Sequence, residues 1–214
     1  MKTVRRESML RAIETEYKGY RFRSRLEAGW AGFVDACGVK WEYEPEGFVL
    51  QNGQQYLPDF LLHDVTFNHA GYREGNDLYV EVKGKMTAED AEKIKGFAFP
   101  FEEEDWNPDL INPLLVVGNI PAGDTIRDLQ DAVFDEGFGP APFGVSVFNF
   151  ETIDGDYFGA MPGVGKDGKF QLFGADSNYT CDMNKGATER AYRLARQARF
   201  EYGETPRVRG YRNA

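Results

Sequence analysis

The chain has 214 residues, of which 42% are hydrophobic and 28% charged, so it can bury one substantial core. Its two cysteines, Cys37 and Cys181, exclude a disulfide framework and a cysteine zinc site, and they fit a reducing compartment. We expect no secretory signal, because the opening residues lack an apolar segment, and no stretch approaches the roughly 18 apolar residues of a membrane span. We therefore expect a cytoplasmic protein without a membrane partner.

The net charge of −10 argues against a polyanionic partner, because nucleic-acid-binding proteins usually carry a basic surface. The charge is uneven, however. Basic residues concentrate at 5–25 and 190–212, whereas residues 101–105 are acidic. Carboxylates that bind cations also add negative charge that the cations neutralise. The total charge therefore does not exclude a nucleic-acid substrate.

The first predicted elements are an arm and a helix. Residues 1–20 are predicted to form a short helix or a loose arm. Residues 24–37 have apolar side chains at helical spacing, with Ser24 as the N-cap and Glu27 as its capping-box partner. Gly38 is expected to end this helix.

Strands are predicted next. Residues 39–62 are typical of two or three strands with a hairpin turn at Asn52-Gly53. Residues 64–77 are polar and predicted to be a loop, and residues 78–85 form another strand. The remaining expected elements are a helix at 88–98 capped by Thr87, a buried strand within 113–121, a helix at 125–134, strands within 145–173 with a turn at 165–169, and a helix at 187–202.

Two segments follow from this order. Residues 1–125 are predicted to form a core with an N-terminal arm. Residues 126–214 are predicted to form a β-rich extension that ends in an arginine-rich helix, either separate or packed as part of one domain.

Three residues on two predicted strands carry groups that phosphodiester hydrolysis requires. Asp59 follows Pro58 in a strand-like run, and Glu81 and Lys83 project from one face of the next strong strand. Carboxylates suit hard cations such as Mg²⁺, which activate water and neutralise phosphoryl charge. A lysine there stabilises developing negative charge. The Val82 side chain should point into the core, which leaves its carbonyl as a further ligand.

Pro58-Asp59 and Glu81-Val82-Lys83, preceded by a helical Glu27, resemble the PD-(D/E)XK nuclease superfamily. The order is most similar to TnsA-type transposon endonucleases and related phage and mobile-element nucleases. The resemblance covers about residues 24–85.

The resemblance implies an α/β fold with a restriction-endonuclease-like core, in which helices flank a central mixed β-sheet. It implies a Mg²⁺-dependent endonuclease that hydrolyses DNA, with Mn²⁺ as a substitute and a homodimer or protein partner left open. Glu27, Asp59, Glu81 and Lys83 would be the catalytic residues. The metal would be held by Asp59, Glu81 and the Val82 carbonyl, and Glu27 would be an additional metal ligand or would orient a metal-bound water.

Each of these residues also has a simpler interpretation. Glu27 could serve only as the capping partner of its helix, although both roles are compatible. Asp59 could be a turn residue, and Glu81 with Lys83 could form a solvated strand face.

Further DNA contacts are predicted from the basic side chains outside the motif. Lys85 is either a second phosphate contact or an ordinary surface lysine. The arginines of the last helix recur every three residues, so they form either a phosphate-binding band or a solvated face. These arginines are Arg190, Arg193, Arg196 and Arg199.

Two functions of other classes stay open. The first is a nuclease-like fold that binds DNA or joins a mobile-element or phage assembly without cleavage. The second is an acidic protein that mimics DNA, whose carboxylates would be spread over a surface and not grouped with a lysine.

Overall fold

The structure is a computed structural model that describes residues 14–68, 76–101, 110–134, 146–148, 158–174, 182–198 and 200. Four helices and eleven strands are assigned within these ranges. In chain order they are β1 (Thr15–Tyr17), β2 (Tyr20–Phe22), α1 (Arg25–Ala36), β3 (Lys40–Tyr43), β4 (Phe48–Val49), β5 (Gln55–Tyr56), β6 (Phe60–Asn68), β7 (Asn76–Val82), α2 (Ala88–Ala98), β8 (Leu114–Val117), α3 (Ile126–Phe134), β9 (Ser146–Phe148), β10 (Phe158–Val164), β11 (Phe170–Gly174) and α4 (Lys185–Gln197).

The central sheet has seven strands in the order β11-β10-β9-β8-β7-β6-β3. Strands β7 and β8 pair in parallel, and the other neighbours in this order pair antiparallel. Strand β11 also pairs in parallel with the end of β6. The strand pairings from β6 through β11 therefore form a closed ring. The predicted α/β class with a mixed sheet flanked by helices is confirmed.

Both faces of this sheet are covered. The alternation within β8 shows it, because Leu115 and Val117 join the larger core, whereas Leu114 and Val116 join the smaller one. The larger core includes α1 and α4, which meet where the Phe33 and Tyr192 rings lie 4.5 Å apart. The smaller core lies beneath α2 and the β4–β5 hairpin. A strand buried on both faces reads as a continuous apolar run, as the sequence indicated for β8.

Most predicted elements are confirmed. Helix α1 begins after Ser24, whose side chain accepts a hydrogen bond from the Glu27 amide. The β4–β5 hairpin turns at Asn52-Gly53, where Gly53 has a φ of +80°. Helix α2 begins after Thr87 with a complete capping box. Helix α4 starts two residues earlier than predicted, at Lys185, and ends at Gln197.

The prediction of a helix or loose arm at 1–20 is wrong for the described residues 14–20. Strands β1 and β2 form an antiparallel hairpin there. Lys18 and Gly19 both have positive φ, 49° and 83°, which matches the twist of a two-residue hairpin turn. Residues 1–13 lie outside the described ranges.

The predicted loop at 64–77 is wrong at both ends. Strand β6 continues to Asn68, and β7 already begins at Asn76. The β6–β7 register shifts between Leu62 and Val65, and Asp64 has a φ of 56° at this bulge. Beyond the bulge, β6 pairs with β11. Residues 69–75 lie outside the described ranges.

Strands β9 to β11, from the predicted C-terminal extension, belong to the same sheet as β6 to β8. Within the described residues, none of the helices is both long and apolar enough to cross a bilayer.

Candidate active site

Asp59, which immediately precedes β6, lies beside Glu81 of the neighbouring strand β7. The β6–β7 register pairs Phe60 with Val80, and one further step places Asp59 opposite Glu81. Because Phe60 and Val80 point into the larger core, alternation directs Asp59 and Glu81 to the opposite face. Both residues are buried, with exposures of 2% and 4%.

The Asp59 carboxylate has a cationic and a backbone partner. Its Oδ2 accepts a hydrogen bond from the Val82 amide at 2.7 Å, and its Oδ1 contacts Nη2 of Arg23. Burial and the charge of Glu81 raise the pKa of Asp59 to about 7, with a smaller contribution from Glu27. The Val82 amide and Arg23 only partly oppose this rise. Asp59 is therefore close enough to both Glu81 and Glu27 for their charges to repel its own.

Glu81 has a partner for each oxygen. Its Oε2 accepts a hydrogen bond from the Tyr56 hydroxyl at 2.8 Å, and its Oε1 lies 2.8 Å from Nζ of Lys83. The Tyr56 ring belongs to the smaller core and stacks near Phe97, with ring centroids 4.6 Å apart. Glu81 is therefore held from both sides.

Lys83 bridges the strand and the following helix. Its Nζ lies 2.8 Å from Glu81 and 3.1 Å from Oδ1 of Asp90 in the first turn of α2. Asp90 is fixed by Thr87, whose amide and hydroxyl both donate to its other oxygen. Burial lowers the pKa of Lys83, but Glu81 and Asp90 outweigh this effect and raise the pKa above its ordinary value. Lys83 is therefore a cation at neutral pH.

Glu27 is buried at 6% exposure and contacts both the start of its own helix and the site. Its Oε1 accepts from the Ser24 hydroxyl at 2.8 Å, a contact with the N-cap side chain and not with the N-cap amide that a capping box uses. Its Oε2 accepts from the Tyr43 hydroxyl at 2.7 Å and from the Arg23 amide at 3.1 Å. Its charge also raises the pKa of Asp59, so it faces the site as well as its own helix.

Sequence reasoning missed three functional neighbours, namely Arg23, Tyr56 and Asp90. Asp90 had a local signal, because Thr87 three residues before it forms a capping box next to the strand of Lys83. Arg23 directly precedes the N-cap of α1, and nothing in the motif singles it out. Tyr56 sits three residues before Asp59, where only the turn between β5 and β6 brings its hydroxyl to Glu81.

The donor set of Asp59 and Glu81 suits a hard divalent cation. Both ligand groups are carboxylates, and a cation would relieve the repulsion that raises the pKa of Asp59. The Val82 backbone lies at the same point, since its amide reaches Asp59. Among the described residues, no three His, Cys, Asp or Glu side chains are arranged to hold a metal ion. The chemistry of the pair, two carboxylates that repel each other, is what fits a cation.

The predicted DNA contacts differ in their surroundings. Lys85, Arg190 and Arg193 are exposed. Arg196 is not a solvated side chain. Its guanidinium donates hydrogen bonds to the carbonyls of Pro121 at 2.7 Å and of Gly123 at 2.5 Å. Arg199 lies outside the described residues. The structure thus brings the four predicted catalytic residues together but gives Arg196 a structural contact.

Comparison of the chain with models of known protein families, with curated proteins and with solved structures finds no match.

Proposed function

We propose that this protein is a Mg²⁺-dependent deoxyribonuclease of the PD-(D/E)XK type that cleaves DNA endonucleolytically. One observation carries the proposal. Two buried carboxylates lie opposite each other, Glu81 on β7 and Asp59 immediately before β6, and Lys83, which directly follows β7, contacts Glu81. Such a group has little value for folding, because buried like charges destabilise the native state. Chemistry on a charged substrate would account for such a group at this position.

The metal would be held by Asp59 and Glu81, with the Val82 carbonyl as a further oxygen ligand. When bound, Mg²⁺ or its substitute Mn²⁺ supplies Lewis acidity and neutralises negative charge on the phosphoryl group. Glu27 contributes negative charge beside Asp59 and orients it through the shared neighbour Arg23.

Lys83 has the electrostatic role in this proposal. Nζ of Lys83 lies 2.8 Å from Glu81, and its ammonium group would stabilise the negative charge that develops on the phosphoryl oxygens. Glu81 and Asp90 fix its ammonium group on two sides. A fixed donor stabilises a transition state without the cost of reorganising at the moment of reaction.

The finer assignments belong to the same proposal. A restriction-endonuclease-like core and a relationship to TnsA-type or phage nucleases rest on the order Glu27, Pro58-Asp59, Glu81-Val82-Lys83. DNA is favoured over RNA by that resemblance alone. A cytoplasmic location and a homodimer or protein partner are proposed on the same footing.

Cleavage assays test the proposal. Wild type is incubated with linear, nicked, branched and single-stranded DNA and with RNA, in Mg²⁺, Mn²⁺ or EDTA. We expect DNA cleavage that is lost in EDTA and reduced about 10²–10³-fold in Lys83→Ala, as for loss of one transition-state donor. Asp59→Asn should abolish cleavage.

Lys93→Ala is the matched control. Lys93 has a side-chain exposure of 31%, close to the 27% of Lys83, but among the described residues it pairs only with Glu89 on its own helix. It should cleave like wild type. Cleavage by Lys83→Ala and Asp59→Asn at the wild-type rate would point to a contaminating nuclease and would refute the proposal.

A non-cleaving DNA-binding or assembly subunit is the second candidate. The Arg23–Asp59 ion pair favours it, because a guanidinium already neutralises one carboxylate of the site. Binding of DNA without cleavage under every condition above would identify this second function.

A further inference from the structure

Arg23 has a fixed backbone at the edge of the candidate site. It connects β2 to α1 and directly precedes the N-cap Ser24. Its amide donates to Glu27 Oε2 at 3.1 Å and to the Tyr43 hydroxyl at 3.2 Å. The side chain therefore starts from a defined point beside the carboxylates.

The Arg23 side chain reaches from solvent to a buried charge. Its exposure is 56%, whereas the Asp59 side chain that it contacts is only 4% exposed. Its Nε lies 3.0 Å from Oε1 of Glu44, which is 32% exposed at the rim. The guanidinium thus has freedom to move outward while the carboxylate beneath it does not.

A divalent cation and Arg23 would need the same oxygen. Oδ2 of Asp59 already accepts a hydrogen bond from the Val82 amide. Oδ1, which contacts Arg23, is therefore the oxygen that a cation would bind. A cation shared by Asp59 and Glu81 would also repel the guanidinium at this short range. A divalent cation bound to Asp59 and Glu81 would therefore weaken the contact between Arg23 and Asp59, and that contact would weaken binding of the cation.

We infer that Arg23 and a divalent cation compete for Asp59, and that the displaced guanidinium binds a phosphate oxygen of the DNA substrate. This inference rests on the proposed function. The planar guanidinium presents paired N–H donors that match phosphate oxygens, and Arg23 lies on the solvent side from which a phosphate arrives. Arg23 is in this view a substrate-binding residue, and its contact with Asp59 prevents the uncompensated burial of that charge.

Mn²⁺ binding without DNA tests the competition. Isothermal titration calorimetry compares wild type with Arg23→Gln and with Arg21→Gln. Arg21 is the matched control, because it lies on the same hairpin, is 81% exposed and pairs only with Glu14 at 3.3 Å among the described residues. We expect Arg23→Gln to bind Mn²⁺ about tenfold more tightly than wild type. The reason is that the charge-assisted bond between Arg23 and Asp59 no longer competes with the metal. Arg21→Gln should match wild type.

DNA binding tests the second half. Affinity for a short labelled duplex is measured by fluorescence anisotropy with Mn²⁺, in a Lys83→Ala background that slows turnover. We expect Arg23→Gln to weaken binding about tenfold relative to Arg21→Gln, the effect of losing one charged phosphate contact. Arg23→Lys keeps the positive charge but lacks the paired N–H donors of the guanidinium. Its Mn²⁺ and DNA affinities should therefore lie between those of wild type and Arg23→Gln.

Two results would overturn the inference. One is Mn²⁺ affinity in Arg23→Gln that is equal to or weaker than that of wild type, as for a purely structural ion pair. The other is DNA affinity equal to that of the Arg21→Gln control. Neither measurement requires cleavage, so failure of wild type to cut DNA would count against the proposed function alone.

Discussion

Nζ of Lys83 lies 3.1 Å from Oδ1 of Asp90, so the lysine at the end of β7 is tied to the first turn of α2. Asp90 uses its other oxygen to cap that turn through Thr87. One carboxylate therefore sets both the start of a helix and the position of the ammonium group. We predict that Asp90→Asn lowers kcat about tenfold with little change in KM, because it loosens a transition-state donor.

Two controls separate positioning from capping. Thr87→Ala removes the cap but leaves the Asp90 carboxylate, so it should cost about 1 kcal/mol of stability with a smaller loss of kcat. Glu89→Gln changes an exposed acid of the same turn and should leave kcat unchanged. Equal kcat values for Asp90→Asn and Glu89→Gln would remove Asp90 from the site.

The metal-free protein should lose stability as the pH rises from about 4 to about 7. Burial and Glu81 raise the pKa of Asp59 from 3.8 to about 7, so the native protein retains a proton that the unfolded chain releases in this range. The free energy of unfolding then falls with increasing pH. Chemical denaturation in EDTA at about pH 5 and about pH 8 measures the slope. Asp59→Asn should flatten it, whereas Asp131→Asn, at an exposed position on α3, should retain it.

Added Mn²⁺ should reverse this trend, because it binds the ionised carboxylate. The rise in Tm on addition of Mn²⁺ should be larger at about pH 8 than at about pH 5. A larger rise at the lower pH would contradict a cation site at Asp59.

Tyr56→Phe should destabilise the protein by about 1–2 kcal/mol, because buried Glu81 loses a hydrogen-bond donor at 2.8 Å. Tyr79→Phe is the control. Tyr79 packs in the same smaller core, but its hydroxyl donates at 3.4 Å to an exposed Glu46. Urea denaturation should therefore show a clearly smaller effect for Tyr79→Phe, and equal effects would argue against a tight Tyr56–Glu81 bond.

The arginines of α4 should divide into two groups. Arg196→Ala should cost about 1–3 kcal/mol, because its guanidinium holds the carbonyls of Pro121 and residue 123. Arg193→Ala should leave stability unchanged, since Arg193 is exposed. If Arg193 contacts a phosphate, its loss should reduce the slope of log K for DNA binding against log salt concentration by about one unit. An unchanged slope would assign Arg193 to the solvated face.

Local periodicity explains what could be predicted from the sequence. Glu81 and Lys83 share a face because side chains alternate along a strand, and the Pro58-Asp59 pair precedes a strand of apolar alternation. The cap at Ser24 and the turn at Asn52-Gly53 are likewise set by residues within a few positions of one another. These features place the principal charged groups of the site.

The missed features depend on distant parts of the chain. Tyr56 reaches Glu81 across 25 residues, and Arg23 reaches Asp59 across 36. No short-range pattern encodes either contact. The extension of β6 to Asn68 was missed because its partner there, β11, lies about a hundred residues later. The β1–β2 hairpin had a signal in Lys18-Gly19, but its three-residue strands are too short for periodicity to reveal.

Strand β6 hydrogen-bonds with β3, β7 and β11, and its first residue directly follows Asp59. As the ribosome releases the chain, the early strands emerge well before the segment that completes their pairing. A truncated product ending near residue 125 would expose unpaired edges on β6 and β8, which invite association with other chains. Covering these two sheet edges thus depends on strands β9 and β11 of the later part of the chain.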